Sequence, residues 1–435
     1  MRKILLALFA MALVVAFTVP SYAADFKYSG FFRVRGSSEN VNKDGDDDLD
    51  DKRNYLDALI RPRFTAKSGA VTAVWEPEFR SANGGFGSSV NFGDHATGVD
   101  DNGDLKTGNV AHKDATASRQ TVGVNRWVID FAVPGSALRV RMGRTDYFSP
   151  DKEIYDSGGR HREPGIALYG KLSKNMSLSA FMTKTNEDNS ADNNDKTDYY
   201  VGLGIKVNPN LTLTPWAANS RDAAEGGYDY SFLGLHAKTK VGILNVNGSL
   251  VIQEGDTKDA KELSGWAVLL RTSTSLGKLK LSGNLTMLSG NDGTKAGEDG
   301  RFRTPQEGGS GWFVGGHIMS SRRWTSLSNG IRSVHLGALN GATVIEGLAD
   351  FKVSKTLTLG GGVSLYNAAE PKVGDYDDAK DFGTELNAGL KWKIHSNLEL
   401  RGVAAVILRG DYGIKEGAET PDDGWAVGWT LRHIF

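Results

Sequence analysis

A short polar turn running into alternating apolar and polar residues recurs along the whole chain. It reads LSKNMSLS at 172–179, VNPNLTLT at 207–214, VGILNVNG at 241–248, LGKLKLSG at 276–283, VSKTLTLG at 353–360 and IHSNLELR at 394–401, with looser copies TAKSGAVTAV at 65–74 and VPGSALRV at 133–140. Alternation with period two sends successive side chains to opposite faces of a strand, and turns this short make the flanking strands antiparallel neighbours. Strands are predicted near 26–36, 55–66, 70–81, 120–133, 138–148, 164–173, 176–186, 198–208, 210–220, 228–241, 243–254, 263–275, 279–289, 342–353, 356–367, 382–394, 397–410 and 424–435. Their connections alternate between short turns and long segments (37–54, 82–119, 149–163, 187–197, 221–227, 255–262, 290–341, 368–381 and 411–423) rich in Asp, Asn, Gly and Lys.

A soluble sandwich or propeller has no reason to keep its long connections at one end. A transmembrane barrel does, with short periplasmic turns and long outer loops, and eight short turns plus two terminal strands give about 18 strands, an even number. Each run is long enough for a tilted strand to cross the hydrocarbon layer. Leu386, Ala388, Leu390 and Trp392 alternate with Glu385, Asn387, Lys391 and Lys393, and Leu398, Leu400, Ala404, Val406 and Leu408 form a second apolar stripe. Only one face of each strand is greasy, so an apolar content of 39% is compatible with insertion. Trp127, Tyr199, Trp392, Trp425 and Trp429 suit interfacial girdles. The predicted fold is all-β, a closed antiparallel transmembrane β-barrel of about 18 strands occupying 24–435.

Residues 1–23 read as a secretory signal: Arg2 and Lys3 open it, Ile4 to Val19 is apolar, and Ser21-Tyr22-Ala23 is a small-x-small cleavage site. The chain has no cysteine, which excludes disulfides, thiolate metal sites and covalent haem attachment. Its 51 basic and 52 acidic residues lack the basic excess of a nucleic-acid binder. No GxSxG, HExxH or P-loop signature occurs, and the eight histidines are scattered, so no catalytic residues, metal or cofactor are expected. Asp44, Asp46 and Asp48, and Asp100, Asn102 and Asp104, have the alternate-residue spacing of calcium loops but lack the closing Glu. They read as a solvated acidic rim, able to bridge through divalent ions to lipopolysaccharide phosphates.

The final segment, GWAVGWTLRHIF at 424–435, alternates Trp425, Val427, Trp429 and Leu431 and ends on Phe435. It resembles the terminal strand of Gram-negative outer-membrane proteins, in which the closing aromatic is read by the barrel-assembly machinery; His433 departs from that pattern. The strand count is similar to that of the 18-stranded porin group, which includes OprD-like, alginate-export-like and sugar-specific porins. The resemblance implies an integral outer-membrane channel amid lipid and lipopolysaccharide.

Assigning the apolar parity to lipid leaves the other parity for the lumen. In the first five strands that face holds Lys27, Arg33, Arg35, Arg61, Arg63, Arg80, Arg139 and Arg141, against Asp57, Glu76, Glu78 and Asp130. Folding the hairpins predicts Arg61 opposite Glu76, Asp57 opposite Arg80 and Asp130 opposite Arg141, leaving Arg33, Arg35, Arg63 and Arg139 without an obvious acidic partner. Planar, always-charged guanidinium groups suit carboxylates and phosphates. The segment 290–341 carries Arg301, Arg303, Arg322, Arg323 and Arg332 with Trp312, Phe313 and Trp324, and is expected to fold inward as a constriction with its aromatics on the wall. The expected function is a passive water-filled channel for small hydrophilic solutes, anionic or sugar-like. The alternative is a structural sheath for a partner protein, or a receptor working through its outer loops.

Overall fold

In hydrocarbon an unpaired backbone N–H or C=O costs several kcal/mol, so a sheet that crosses a membrane must have no free edge. The computed structural model satisfies this requirement. It describes residues 25–40, 52–81, 89–92, 98–99, 105–106, 119–147, 163–186, 196–223, 227–257, 262–293, 297–303, 340–371, 378–412 and 423–435. Eighteen long strands follow in order: β1 (Asp25–Asn40), β2 (Lys52–Ser68), β3 (Val71–Ser81), β4 (Arg119–Ala132), β5 (Leu138–Thr145), β6 (Glu163–Lys171), β7 (Met176–Asn186), β8 (Lys196–Asn208), β9 (Leu211–Asp222), β10 (Tyr228–Val241), β11 (Leu244–Thr257), β12 (Glu262–Leu276), β13 (Leu279–Leu288), β14 (Ala342–Lys352), β15 (Leu357–Asn367), β16 (Asp381–His395), β17 (Leu398–Arg409) and β18 (Gly424–Ile434). Each pairs antiparallel with its sequence neighbours, and β1 pairs antiparallel with β18 from Phe31↔Ile434 to Asn40↔Trp425. The predicted strands are all present.

The seam is completed by the chain end. Gly30 N donates to Phe435 O at 2.7 Å and Phe435 N to Gly30 O at 3.0 Å, while the Phe435 ring lies 5.4 Å from Tyr28. Outward-facing side chains include Leu233, Leu250, Ile252, Ile345, Leu386, Val427 and Trp429, all exposed as they must be against lipid. Three short pairings fall within segments read as loops. Ser89–Phe92 runs parallel to the start of β4, Gly98–Val99 pairs with Leu105–Lys106, and Glu298–Asp299 runs parallel to Glu262 and Leu263 of β12.

One register departs from the reading above. β2 and β3 pair Ser68↔Val71 and Leu59↔Arg80, so the turn is the tight pair Gly69-Ala70, with Gly69 at a positive φ of 55°. Glycine adopts that conformation without a Cβ penalty. The tighter turn slips the predicted pairing by two residues. It places Arg61 across from Glu78 rather than Glu76, Arg63 across from Glu76, and Arg80 across from Leu59 rather than Asp57. The β4–β5 hairpin follows prediction, with Asp130↔Arg141.

A charge on the outward face at mid-strand should cost about 2–4 kcal/mol. Leu250→Arg, at the centre of β11, is expected to lower the urea midpoint for unfolding from lipid vesicles accordingly. Ser273→Arg, on the inward face of β12, should shift it by less than ~1 kcal/mol.

Candidate functional site

The inner face is strongly uneven in charge. On β2 and β3 the paired positions skip 61–63, where Pro62 lies level with Pro77 and neither has an N–H to give. Side chains span this gap: Arg61 pairs with Glu78, and Arg63 Nε donates to Glu76 at 2.5 Å. Glu76 is buried and also accepts from Asn125 of β4. A register shift against β4 at Glu76/Pro77 accommodates the proline and keeps Glu76 and Glu78 near each other on the inner wall.

Around the wall, Asp130 accepts from Arg139 Nε at 2.6 Å, from Arg141 Nε at 2.9 Å and from the Tyr169 hydroxyl. The Arg141 guanidinium also lies over the Tyr169 ring at 4.8 Å, a cation–π contact. Arg126 pairs with Asp146. Arg63 and Arg139, expected to lack acidic partners, therefore have them. The two-residue slip brings Glu76 to Arg63, and adjacent inward positions on β5 let one aspartate serve two arginines. Arg33 and Arg35 also have partners. Arg35 is buried and lies level with Asp57 on β2, and Arg33 lies level with Arg432 on β18.

Closure adds residues that reading the first five strands could not supply. Arg432 sits 4.5 Å over the Phe31 ring, with Arg61 at 5.6 Å. On β16 and β17, Glu399 is shared by Arg401 (2.6 Å) and Lys391 (3.1 Å). The arc from β16 through β1 to β5 thus carries Arg33, Arg35, Arg61, Arg63, Arg139, Arg141, Arg401, Arg432 and Lys391, with Glu76, Glu78, Asp130 and Glu399 shared among them. The signal that would have found Lys391, Arg401 and Arg432 is the inward parity of 385–401 and 426–432, continued across the seam. Two further buried acids lie at this end of the arc, Glu385 within it and Glu346 beside it. Glu346 on β14 accepts from Ser364 at 3.3 Å and from Asn284, and Glu385 on β16 accepts from Asn387 at 3.3 Å.

The wall nine strands from β1–β3, and so across the barrel, is β10–β12. In its half toward the long connections the buried inward side chains are mostly apolar: Tyr230, Phe232, Val251, Leu263 and Ala267, with Gln253 among them. Aromatic stacking extends the surface through Tyr147, Phe181, Tyr200 and Trp216, at centroid separations of 5.5, 4.7 and 5.8 Å. The segment 297–303 leans on this wall. Phe302 meets the Phe232 ring edge-on at 6.1 Å, and the backbone N–H of Arg303 donates to Gln253 Oε1 at 2.7 Å. Gly265 lies beneath, where a Cβ would come within 2.8 Å of Phe302 Cα.

Arg301 and Arg303 both reach Asp299, each through Nη2 at 2.7 Å. Burial opposes ionisation of Asp299, but these hydrogen bonds outweigh it and hold the carboxyl well below the usual carboxylate range. Arg322 and Arg323, Trp312, Phe313 and Trp324, the acidic runs at 44–48 and 100–104, and residues 1–23 lie outside the described residues.

A closed 18-stranded sheet with an apolar outer band and a charged inner wall is an integral β-barrel of the outer-membrane type. Solved structures of outer-membrane porins of the Occ/OprD family share this fold. OpdK of Pseudomonas aeruginosa with vanillate aligns at a TM-score of 0.55 and 14% identity, OpdG (OccK9) of the same organism at 0.57 and 14%, and OccAB2 of Acinetobacter baumannii at 0.59 and 12%. Each alignment covers 94% of this chain and 98% of the other. No family model matches the sequence, and no curated protein matches it.

Because the Asp299 carboxyl is lowered, its contribution is complete above the ordinary aspartate value of about 4 and is lost as pH falls toward its folded pKa. Asp299→Asn removes that contribution at neutral pH. The expected result is roughly tenfold faster amide exchange at Phe302 and Arg303, with wild type approaching the variant on acidification.

Proposed function

We propose that this protein is a porin, a water-filled passive channel of the outer membrane that admits small hydrophilic solutes, with preference for anionic or sugar-like ones. The observation that carries the proposal is the surplus of guanidinium groups along one inner arc of a barrel wide enough to hold water. Barrels of 16–18 strands leave an aqueous lumen, and the inner positions near the short turns are polar: Lys206, Thr212, Lys238, Asn245 and Lys280. The fold shared with outer-membrane porins supports the same reading.

In this mechanism the permeant moves along the arc by exchanging partial hydration for guanidinium contacts. Asp130 and Glu399 each hold two cations, so the pairs keep the arginines extended and spaced while leaving net positive charge. Such pairs in a wet pore are weak, so an arriving carboxylate or phosphate can compete for the outer N–H groups. The apolar wall across the barrel offers area for a ring. OpdK was solved with vanillate, an aromatic carboxylate. We assign the residues named above to pore lining, the segment around Arg301, Arg303, Arg322 and Arg323 to a constriction, residues 1–23 to a cleaved leader, and Phe435 to recognition by the assembly machinery. The protein is read as non-catalytic.

Reversal potentials across a planar bilayer in asymmetric potassium chloride test the channel and its sign together. The purified protein is expected to conduct without a partner and to favour chloride; silence would turn the reading to a sheath, and potassium preference would sink the arginine arc. Glu76→Gln should raise the chloride-to-potassium ratio by roughly twofold, and Arg61→Ala with Arg63→Ala should lower it by a similar factor. Removing 304–339 is expected to raise single-channel conductance severalfold, and an unchanged value removes the constriction.

A further inference from the structure

The outward face of β6–β10 departs from a plain greasy band. The sheet register sets three rows across it. Nearest the long connections run Lys184, Thr197, Arg221 and Asp229; next come Ile166, Met182, Tyr199, Asn219 and Ser231; below them are Leu168, Ala180, Val201, Ala217 and Leu233. Ala180 and Ala217 are small where their neighbours are large. They form the floor of an apolar groove of about 520 Å³, walled by Ile166, Met182 and Tyr199. Four residues farther along the same two strands stand Lys184 and Arg221, ~13 Å from the floor at strand rise. Between floor and cations lie the Tyr199 ring and the Asn219 amide, which donates to Asp229 at 2.7 Å and to Ser231 Oγ at 3.3 Å.

We infer that this face is a docking site for one phosphorylated, multiply acylated glucosamine lipid of the outer leaflet, the lipid A part of lipopolysaccharide. The inference goes beyond channel activity and rests only on the membrane placement. That placement puts the end with long connections outside and this face against acyl chains. The charge sequence matches such a lipid from top to bottom. A phosphate meets Lys184 and Arg221, the sugar lies level with Tyr199 and Asn219, and one acyl chain fills the groove over Ala180, Val201 and Ala217. Asp229 is the acid in the cationic row, and its carboxylate is engaged by Asn219. A second copy of this chain could also cover an apolar groove, but it would not require cations stacked above the groove at headgroup depth.

Native mass spectrometry of the full-length purified barrel in detergent tests the site with three probes: hexa-acylated bisphosphoryl lipid A, its dephosphorylated form, and phosphatidylglycerol. Wild type is expected to retain one bisphosphoryl lipid A at collision energies that strip the other two. Ala217→Phe, which fills the groove, and the pair Lys184→Ala and Arg221→Ala, which removes the headgroup partners, should each lower retention about tenfold. Ala404→Phe, outward on β17, should not. Folding of every variant is checked by its heat-modifiable gel mobility, and the rim pair remains informative should Ala217→Phe misfold. Equal retention of phosphatidylglycerol, wild-type retention in both groove and rim variants, or a change in oligomeric state on Ala217→Phe with lipid A still bound would each overturn the site. Conductance is measured on the same variants. Loss of lipid A with unchanged conductance supports the site and leaves the channel reading intact, whereas retained lipid A in a silent barrel counts against the channel alone.

Discussion

The requirement that no backbone hydrogen-bonding group face hydrocarbon unpaired governs the whole structure. It forces the eighteen strands into a ring, and the ring closes where β1 meets β18. The hydrogen bonds between Gly30 and Phe435 finish the seam at one end. Closure then fixes which face of every strand meets water, because parity cannot change along a paired strand without a bulge. The bulge at Glu76/Pro77 sits where proline would otherwise leave a gap in the ladder.

Inside, the same ring brings cations from opposite ends of the chain into one arc. Arg33 and Arg432 are about 400 residues apart in sequence yet face each other across the seam. An arc made only of arginines would repel itself, and one fully neutralised would attract nothing. Sharing Asp130 between Arg139 and Arg141, and Glu399 between Arg401 and Lys391, gives an arrangement between those extremes. Across the lumen, in the half toward the long connections, the buried inward residues are mostly aromatic and aliphatic, and the 297–303 segment packs on them through Phe302. In that half the barrel is therefore charged along one wall and mostly apolar along the other.

Much of the fold was legible because its signals are local. Turn phrases such as SKNM and NPNL mark hairpins, and period-two alternation marks membrane strands, so strand positions agree with the structure to within a few residues. The site was legible only in part. The shared parity of Arg61 with Arg63, of Glu76 with Glu78 and of Arg139 with Arg141 could be read directly, since parity is a local property. Their partners depend on turn tightness, and the positive φ of Gly69 moved one pairing by two residues. The segment around Phe302 is a different case, because no periodicity announces which wall an irregular stretch will meet.

The sequence by itself determined the strands, their alternation, the faces and the uneven distribution of connections, because each follows from the chemistry of residues one to four positions apart. Only the tertiary structure decided that Arg432 stands beside Arg33, that Glu399 serves two cations, and that Lys184 and Arg221 align above Ala180 and Ala217. Those contacts join strands whose relative offset is set by the closure of the ring, and that offset is a sum of every register around the barrel, recorded in no single stretch of the chain.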